Sequence, residues 1–404
     1  MGEFSFFAGA DVSFETYADA YIVHDAHVTN HSYVESLYEY GAAAQLIDEI
    51  IRGDGLIGGE QIPARPQVWA AGNNGMPGTD NYGERSGYYS VFTQAKNSIS
   101  VGSIDAETGR LSDFSSIGPT FDGRIKPDVM APGCIQSPRI ALINSTQSGV
   151  QGYDGACGTS VAAPFVTGLV ALMVQHTIES GAEPVWPSTY KAILVETATD
   201  IVSNNTTTNF INSDTGLPNV FHRGPDFATG FGLVDGKSAL ALLQSGTRWA
   251  QGTIIPFANE PNDRELKPEA RFCVTVNEGD ALSATLAWDD APSDAITNAL
   301  LPKLVNDLDL VLVAPDGSTH LPWVLLPPPI AFDLFGPAPD PISLEDILPA
   351  VTGRDDLNNV EKAEVTNTVA GRWTVIVRGH TLPLGEPQKF SLAASHPLET
   401  QCPN

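Results

Sequence analysis

The apolar and polar positions divide the chain into two regions of different period. The longest apolar stretch, Phe165-Val166-Thr167-Gly168-Leu169-Val170-Ala171-Leu172-Met173-Val174, predicts a helix buried nearly all round. Thr159 and Ser160 stand at its start, where short hydroxyl side chains satisfy free amide donors. Earlier, Val68-Trp69-Ala70-Ala71 reads as a buried strand running into the turn residues Gly72-Asn73-Asn74-Gly75. The helical character lasts as far as Ala239-Leu240-Ala241-Leu242-Leu243. Beyond it come short alternating segments separated by Pro, Gly and Asn: 270–276, 282–288, 306–317, 373–379 and 389–394. The third of these ends in a tight Asp316-Gly317 turn. The division predicts an α/β region over residues 1–245 and an antiparallel β-sandwich over 246–404.

Composition narrows the partners. Lys and Arg number 21 against 48 Asp and Glu, a net charge of −27 in 404 residues. Nucleic acid and anionic membrane surfaces call for clustered positive charge, so neither is an expected partner. The apolar runs fall short of a spanning helix, and Met1-Gly2-Glu3-Phe4 does not open a signal peptide. Leu325-Leu326-Pro327-Pro328-Pro329 reads as a loop. The spacing of the four cysteines is not that of a metal site, which leaves disulfides or buried thiols.

Ser160 carries the chemistry. A serine at a helix start feels the positive end of the helix dipole, which favours the negative charge of an acyl-transfer intermediate. Gly158, Ala162 and Ala163 are small enough for a substrate backbone to approach. The full run Gly158-Thr159-Ser160-Val161-Ala162-Ala163-Pro164 resembles the nucleophile motif of the subtilases, the subtilisin-like serine peptidases. Val68 to Gly75 resembles the subtilase oxyanion segment, with Asn73 as the amide donor and Ala71 and Gly72 beside the substrate. The run 113–133 is similar to the family's connecting segment, where Lys126 and Asp128 can pair locally. The runs 187–198 and 230–235 are similar to the last elements of such a domain. Asn30-His31-Ser32 is similar to the strand that walls the family's substrate cleft, with Ser32 in the family's Ser position. Val34 and Glu35 depart from the Gly preferred there.

The resemblance implies a partial subtilase parallel sheet with helices on both faces, followed by a jelly-roll-like sandwich of the kind behind some bacterial alkaline subtilases. It implies a serine endopeptidase acting through an acyl-enzyme on protein or peptide substrates, exported from the cell. It also implies that Cys134 and Cys157 lie on neighbouring loops, and Cys273 and Cys402 on neighbouring strands. The family's Asp and His motifs are not found: no histidine is followed by Gly-Thr, and His24, His27 and His31 alone precede Ser160. The expectation is a chain that begins partway through the catalytic domain and is inactive alone, the acid and base coming from an upstream segment. The alternative is a non-catalytic protein-binding pseudopeptidase. His176, far along the helix, is expected to cap or pack rather than act as a base. The chemistry requires no cofactor. Asp289, Asp290, Asp307 and Asp309 could hold a structural calcium, or simply be solvated, and no metal site is assigned to them. Without the strands that bear the acid and base, the strand near Val28 is expected to be an exposed edge, so that residues 1–245 alone associate or aggregate while the sandwich from about Gly246 folds by itself.

Overall fold

The computed structural model describes residues 13–33, 39–57, 59–75, 89–135, 142–143, 153–181, 185–202, 221–256, 267–296, 298, 300–327, 348–400 and 402. Val34, Glu35, residues 1–4 and the end of the Pro-rich run lie outside them.

In the first region, α1 (Phe14–Ala18) continues into a π-helical turn (Asp19–Val23) and is followed by β1 (Thr29–His31) and α2 (Ala42–Arg52). A small hairpin, β2 (Leu56–Ile57) with β3 (Glu60–Gln61), leads to β4 (Gln67–Ala70), β5 (Ile99–Asp105) and β6 (Val129–Ile135). The hairpin of β7 (Leu142–Ile143) and β8 (Tyr153–Asp154) precedes β9 (Ala156–Cys157), α3 (Thr159–Glu179), α4 (Pro187–Thr197) and α5 (Gly236–Gln244). The main sheet has the order β1-β4-β5-β6-β9, parallel except for β9. Helices cover both faces, as a parallel sheet requires. Alternation along β4 shows the division: Val68 and Ala70 join the core with α3, whereas Trp69 packs with Ile47 and Ile51 of α2.

Two expectations about α3 change. The helix is 21 residues and apolar enough, by length and composition, to cross a membrane. It packs instead across the sheet, burying Ala162, Ala163, Val166, Val170 and Met173. Nor is it buried all round. Phe165 is 42 % exposed, Leu172 52 % and Ile178 57 %, and Pro164, Gly168 and Ala171 on the same side are exposed too. That bare stripe lies on a helix whose sheet, among the described residues, stops at β1. Ala162 and Ala163 face the core and leave no room for substrate.

The second region holds β10 (Trp249–Ile254), β11 (Glu269–Val276), β12 (Leu282–Ala287), β13 (Asp307–Val313), β14 (Thr319–His320), the hairpin β15 (Trp323–Val324) with β16 (Val351–Thr352), β17 (Val360–Val365), β18 (Gly371–Thr381) and β19 (Gln388–Ala394). Two antiparallel sheets, β10-β19-β12-β17 and β11-β18-β13-β14, enclose one core that includes Leu286, Leu310, Trp373 and Phe390. Setting aside the β15–β16 hairpin, the eight strands run 1-8-3-6 in one sheet and 2-7-4-5 in the other, a jelly roll. Cys273 bonds to Cys402.

The two regions share a buried boundary. Ala287, Val360 and Ala393 on the outer face of the first sandwich sheet belong to the same apolar core as α3 and α4. Ser188 and Thr189 of α4 meet the Ser391 hydroxyl at 3.0 and 2.7 Å, and Glu196 accepts from Ser283 and Thr285. Lys96 Nζ donates to Asp290 Oδ2 at 2.7 Å, Ala291 O at 2.6 Å and Lys303 O at 2.8 Å, all buried. Asn97 exchanges hydrogen bonds with the Asp290 backbone in both directions. Asp289 and Asp290, entertained above as calcium ligands, are thus turned into this boundary, Asp289 accepting from Ser188 N.

Candidate active site

The site is built at the first turn of α3. Gly158 has φ +154°, and a Cβ there would sit 2.8 Å from Ser160 Oγ, 3.6 Å from Ser160 N and 3.8 Å from Asn73 Nδ2. The hydroxyl, an amide and a carboxamide donor therefore surround one point that only glycine leaves open. Of the first amides of α3, Thr159 N donates to Asn73 Oδ1, and Val161 N and Ala162 N donate to Gly158 O. Ser160 N and Asn73 Nδ2 donate to no described residue. Two free donors beside a hydroxyl at the positive end of a long helix are suited to an oxygen that gains negative charge.

Thr159 fixes Asn73. Its buried hydroxyl donates to Asn73 Oδ1 at 3.0 Å and accepts from Gly72 N at 3.1 Å. With Thr159 N also on Oδ1 at 2.8 Å, the carboxamide is oriented with Nδ2 outward. Sequence reasoning missed this role by reading Thr159 as a helix cap: the hydroxyl serves the neighbouring loop, and helix α3 has no side-chain cap. Ala71 and Gly72, expected beside the substrate, lie buried behind Asn73. Ala71 O accepts from Phe92 N, ahead of β5, and Gly72 O accepts from Ser116 N of the connecting segment. A Cβ on Gly72 would strike the Phe92 ring at 2.2 Å. Lys126 and Asp128 do pair, at 2.6 Å.

Ser32 meets Ser160 directly. Pro164 has no N–H to give the Ser160 carbonyl four residues back, and Ser32 Oγ donates to that oxygen at 2.8 Å instead. Asn30 Nδ2 donates to Ser32 Oγ at 2.9 Å, and Thr167 Oγ1 donates to Asn30 Oδ1 at 2.9 Å. The spacing of two in Asn30-x-Ser32 puts both side chains toward α3 while His31 faces the other way. Asn30 and Thr167 were missed; that alternation, together with a proline four residues after the serine, was the signal available. On the far side, Cys134 and Cys157 are paired across β6 and β9 and joined by a disulfide, and Gly158 N donates to Gly133 O at 2.8 Å. The nucleophile turn is held at both ends.

No described histidine hydrogen-bonds Ser160. His31 is buried, with Nε2 2.8 Å from Thr29 Oγ1 and Nδ1 2.8 Å from the Tyr33 hydroxyl. It stacks on Trp69 at 4.0 Å on the α2 side of the sheet, and burial pulls its pKa down to about 3. His24 and His27 pair with Asp19 and Asp25 at the surface. His176 lies in the last turn of α3, where its carbonyl accepts from Ser180 N.

Residues 8–232 match the subtilase family model. Over 342 residues the chain is 26 % identical to the serine protease/ABC transporter B family protein tagB of Dictyostelium discoideum, covering 75 % of this chain and 17 % of that protein. It is 33 % identical over 128 residues to serine protease AprX of Bacillus subtilis, covering 28 % of this chain and 29 % of AprX. Among solved structures, fervidolysin from Fervidobacterium pennivorans, a keratinolytic enzyme related to subtilisin, is similar over 96 % of this chain and 45 % of its own, with 18 % identity and a TM-score of 0.34. The chain thus spans well under two thirds of the length of each of these three relatives. With the family model covering more than half of its residues, this chain belongs to the subtilase family.

Proposed function

We propose that the chain carries the nucleophile and oxyanion half of a serine endopeptidase. Ser160 Oγ attacks the scissile carbonyl, and Ser160 N and Asn73 Nδ2 stabilise the oxyanion. The observation that carries this reading is the convergence of those three groups on the open side of Gly158. Thr159 and Ser32 are positioning residues, acting through Asn73 and the Ser160 carbonyl. A serine needs a base to attack at a useful rate, and no described histidine hydrogen-bonds Ser160. The His and Asp are therefore assigned to a segment outside this chain, and the 404 residues alone are expected not to turn over protein substrates. The two disulfides suit an oxidising compartment, which favours export.

Fluorophosphonate labelling with peptide mapping, on the chain fused behind a segment that bears the subtilase Asp and His motifs, tests this. Ser160 is expected to be modified in preference to other serines, and Asn73→Ala to slow that labelling by tenfold or more, since losing such a donor costs about a hundredfold or more in a working enzyme. Fusing the chain behind a segment bearing the subtilase Asp and His motifs should give casein hydrolysis that Ser160→Ala abolishes. Labelling with no preference for Ser160 would overturn the reading. The lack of a described histidine at Ser160 favours one other reading, a pseudopeptidase that binds extended peptides without cleaving them. That reading expects casein binding unchanged by Ser160→Ala and no hydrolysis from the fusion.

A further inference from the structure

Behind the exposed Asn73 lies the connecting segment, and Ser116 of that segment meets the oxyanion loop with both its backbone and its side chain. Ser116 is fully buried. Its Oγ accepts from Asn74 N at 3.0 Å, and its own N donates to Gly72 O at 3.0 Å. Gly72 O belongs to the peptide group before Asn73, and Asn74 N to the peptide group after it. One residue therefore holds both peptide planes that flank the Asn73 Cα. With them it sets the two backbone dihedrals that aim the Asn73 side chain.

The fit is close. A Cβ on Gly72 would come 2.7 Å from Ser116 Oγ, and one on Gly75 would come 2.2 Å from Ser115 O. Gly75 N also donates to Phe114 O at 2.8 Å. Residues 72–75 thus lie flush against 114–116, and packing at this density leaves the loop little room to tilt.

Thr159 and Ser116 divide the task of aiming Asn73. Thr159 N and Oγ1 both donate to Oδ1 and so fix the tip of the side chain. Ser116 fixes its root. A hydroxyl suits the place because Asn74 is buried, and a buried amide left without an acceptor is costly. Ser115, equally buried, serves a different partner: its Oγ accepts from Ser103 N of β5 at 3.0 Å.

We infer that Ser116 is a positioning residue for the reaction at Ser160, holding the backbone on both sides of Asn73 so that Nδ2 stays on the oxyanion. The inference rests on the reading of Asn73 as the oxyanion donor. A group displaced by about 1 Å can cost a working enzyme about a hundredfold. With Thr159 still holding the tip, loss of the Ser116 hydroxyl should cost less.

A double-mutant cycle tests the role. In the fused chain labelled at Ser160 by fluorophosphonate, Ser116→Ala should slow labelling about three- to tenfold. Once Asn73→Ala is present it should slow labelling no further, because a residue that acts only through Asn73 then has nothing to position. Ser115→Ala removes a buried hydrogen bond from the same segment and should label at close to the parent rate, which separates aim from general loosening. Hydrogen exchange on the unsubstituted 404-residue chain needs no variant to fold, and there the Asn74 amide should exchange far more slowly than in an unfolded chain. An unprotected Asn74 amide, no slowing by Ser116→Ala, the same slowing with and without Asn73, or equal slowing by Ser115→Ala would each overturn the role of Ser116. No labelling of Ser160 in the unsubstituted fusion is a different failure: it would overturn the reading of the active site, and this inference with it.

Discussion

Replacing Lys96 by methionine tests whether the catalytic region and the jelly roll are one cooperative unit. The ammonium is fully buried and satisfied by Asp290 and two carbonyls, all from the sandwich. Removing it leaves Asp290 with its bonds from Val305 N and Asn306 N but without its counter-charge. Breaking a buried pair from one side costs about 3–5 kcal/mol, against the ~5–15 kcal/mol that holds an ordinary domain together. Urea unfolding followed by tryptophan fluorescence suits the purpose, since Trp69 reports the first region and Trp288 and Trp373 the second. We expect one shared transition in the parent, moved to lower urea by that amount in Lys96→Met, and substantial recovery in Lys96→Met/Asp290→Asn, where no charge is stranded. For the same reason residues 246–404 alone, with Ala287, Val360 and Ala393 uncovered, should melt below the whole chain. A loss under about 1 kcal/mol in Lys96→Met, or a free sandwich as stable as the intact protein, would refute the reasoning.

Three further outcomes are expected. Ser32→Ala removes an exposed hydrogen bond to the Ser160 carbonyl and should cost about 0.5–1.5 kcal/mol, read by the same unfolding assay; no loss would show that water replaces the hydroxyl. His31, with its pKa held near 3 by burial against about 6.5 in the unfolded chain, is neutral when folded. Its contribution is present above pH 6.5 and is lost as pH falls from there toward 3, at most about 5 kcal/mol; His31→Phe should flatten the acid limb of a stability-versus-pH curve, and an unchanged limb would count against it. Leu172→Glu, on the bare stripe of α3 beside β1, where the described sheet stops, should reduce self-association in light scattering without moving the melting temperature, because a sheet edge next to apolar surface invites pairing.

The parts of the site legible in the sequence are those where neighbours in the chain do the work. Gly158, Thr159 and Ser160 announce themselves because a helix start, a hydroxyl and a glycine without room for a Cβ are adjacent. The jelly roll was legible as alternation and turn residues, although its strand order was not, since alternation fixes which face is buried and not which strand is next. Thr159 was misassigned because a hydroxyl at a helix start serves its own helix or a neighbouring loop equally well in sequence terms. The stripe on α3 was invisible for a related reason: a mostly apolar run says that a helix can be buried all round, but the sheet's extent decides how much is covered.

Least legible was the boundary between the regions, and the cause lies in the physics of buried charge. Hydrophobic patterning marks a burial site because apolar residues lose by exposure, whereas Lys96, Asp290 and Asp289 look like surface residues until their partners are known. Read by residue type, Asp289, Asp290, Asp307 and Asp309 form one acidic group. The fold splits them into two pairs with opposite solutions to the same problem. Asp290 is neutralised by an ammonium from the other region, so its charge ties the two together. Asp307 and Asp309 face a third buried carboxylate and share only one partly exposed guanidinium and an imidazole. Carboxylate pairs less than two dozen residues apart in a strand-rich acidic chain carry no mark of which solution applies. Only the register of β13 against β18, with His380 displaced by the bulge, and the burial of Glu361 on the other sheet separate a carboxylate neutralised by one ammonium from carboxylates that share a partial counter-charge.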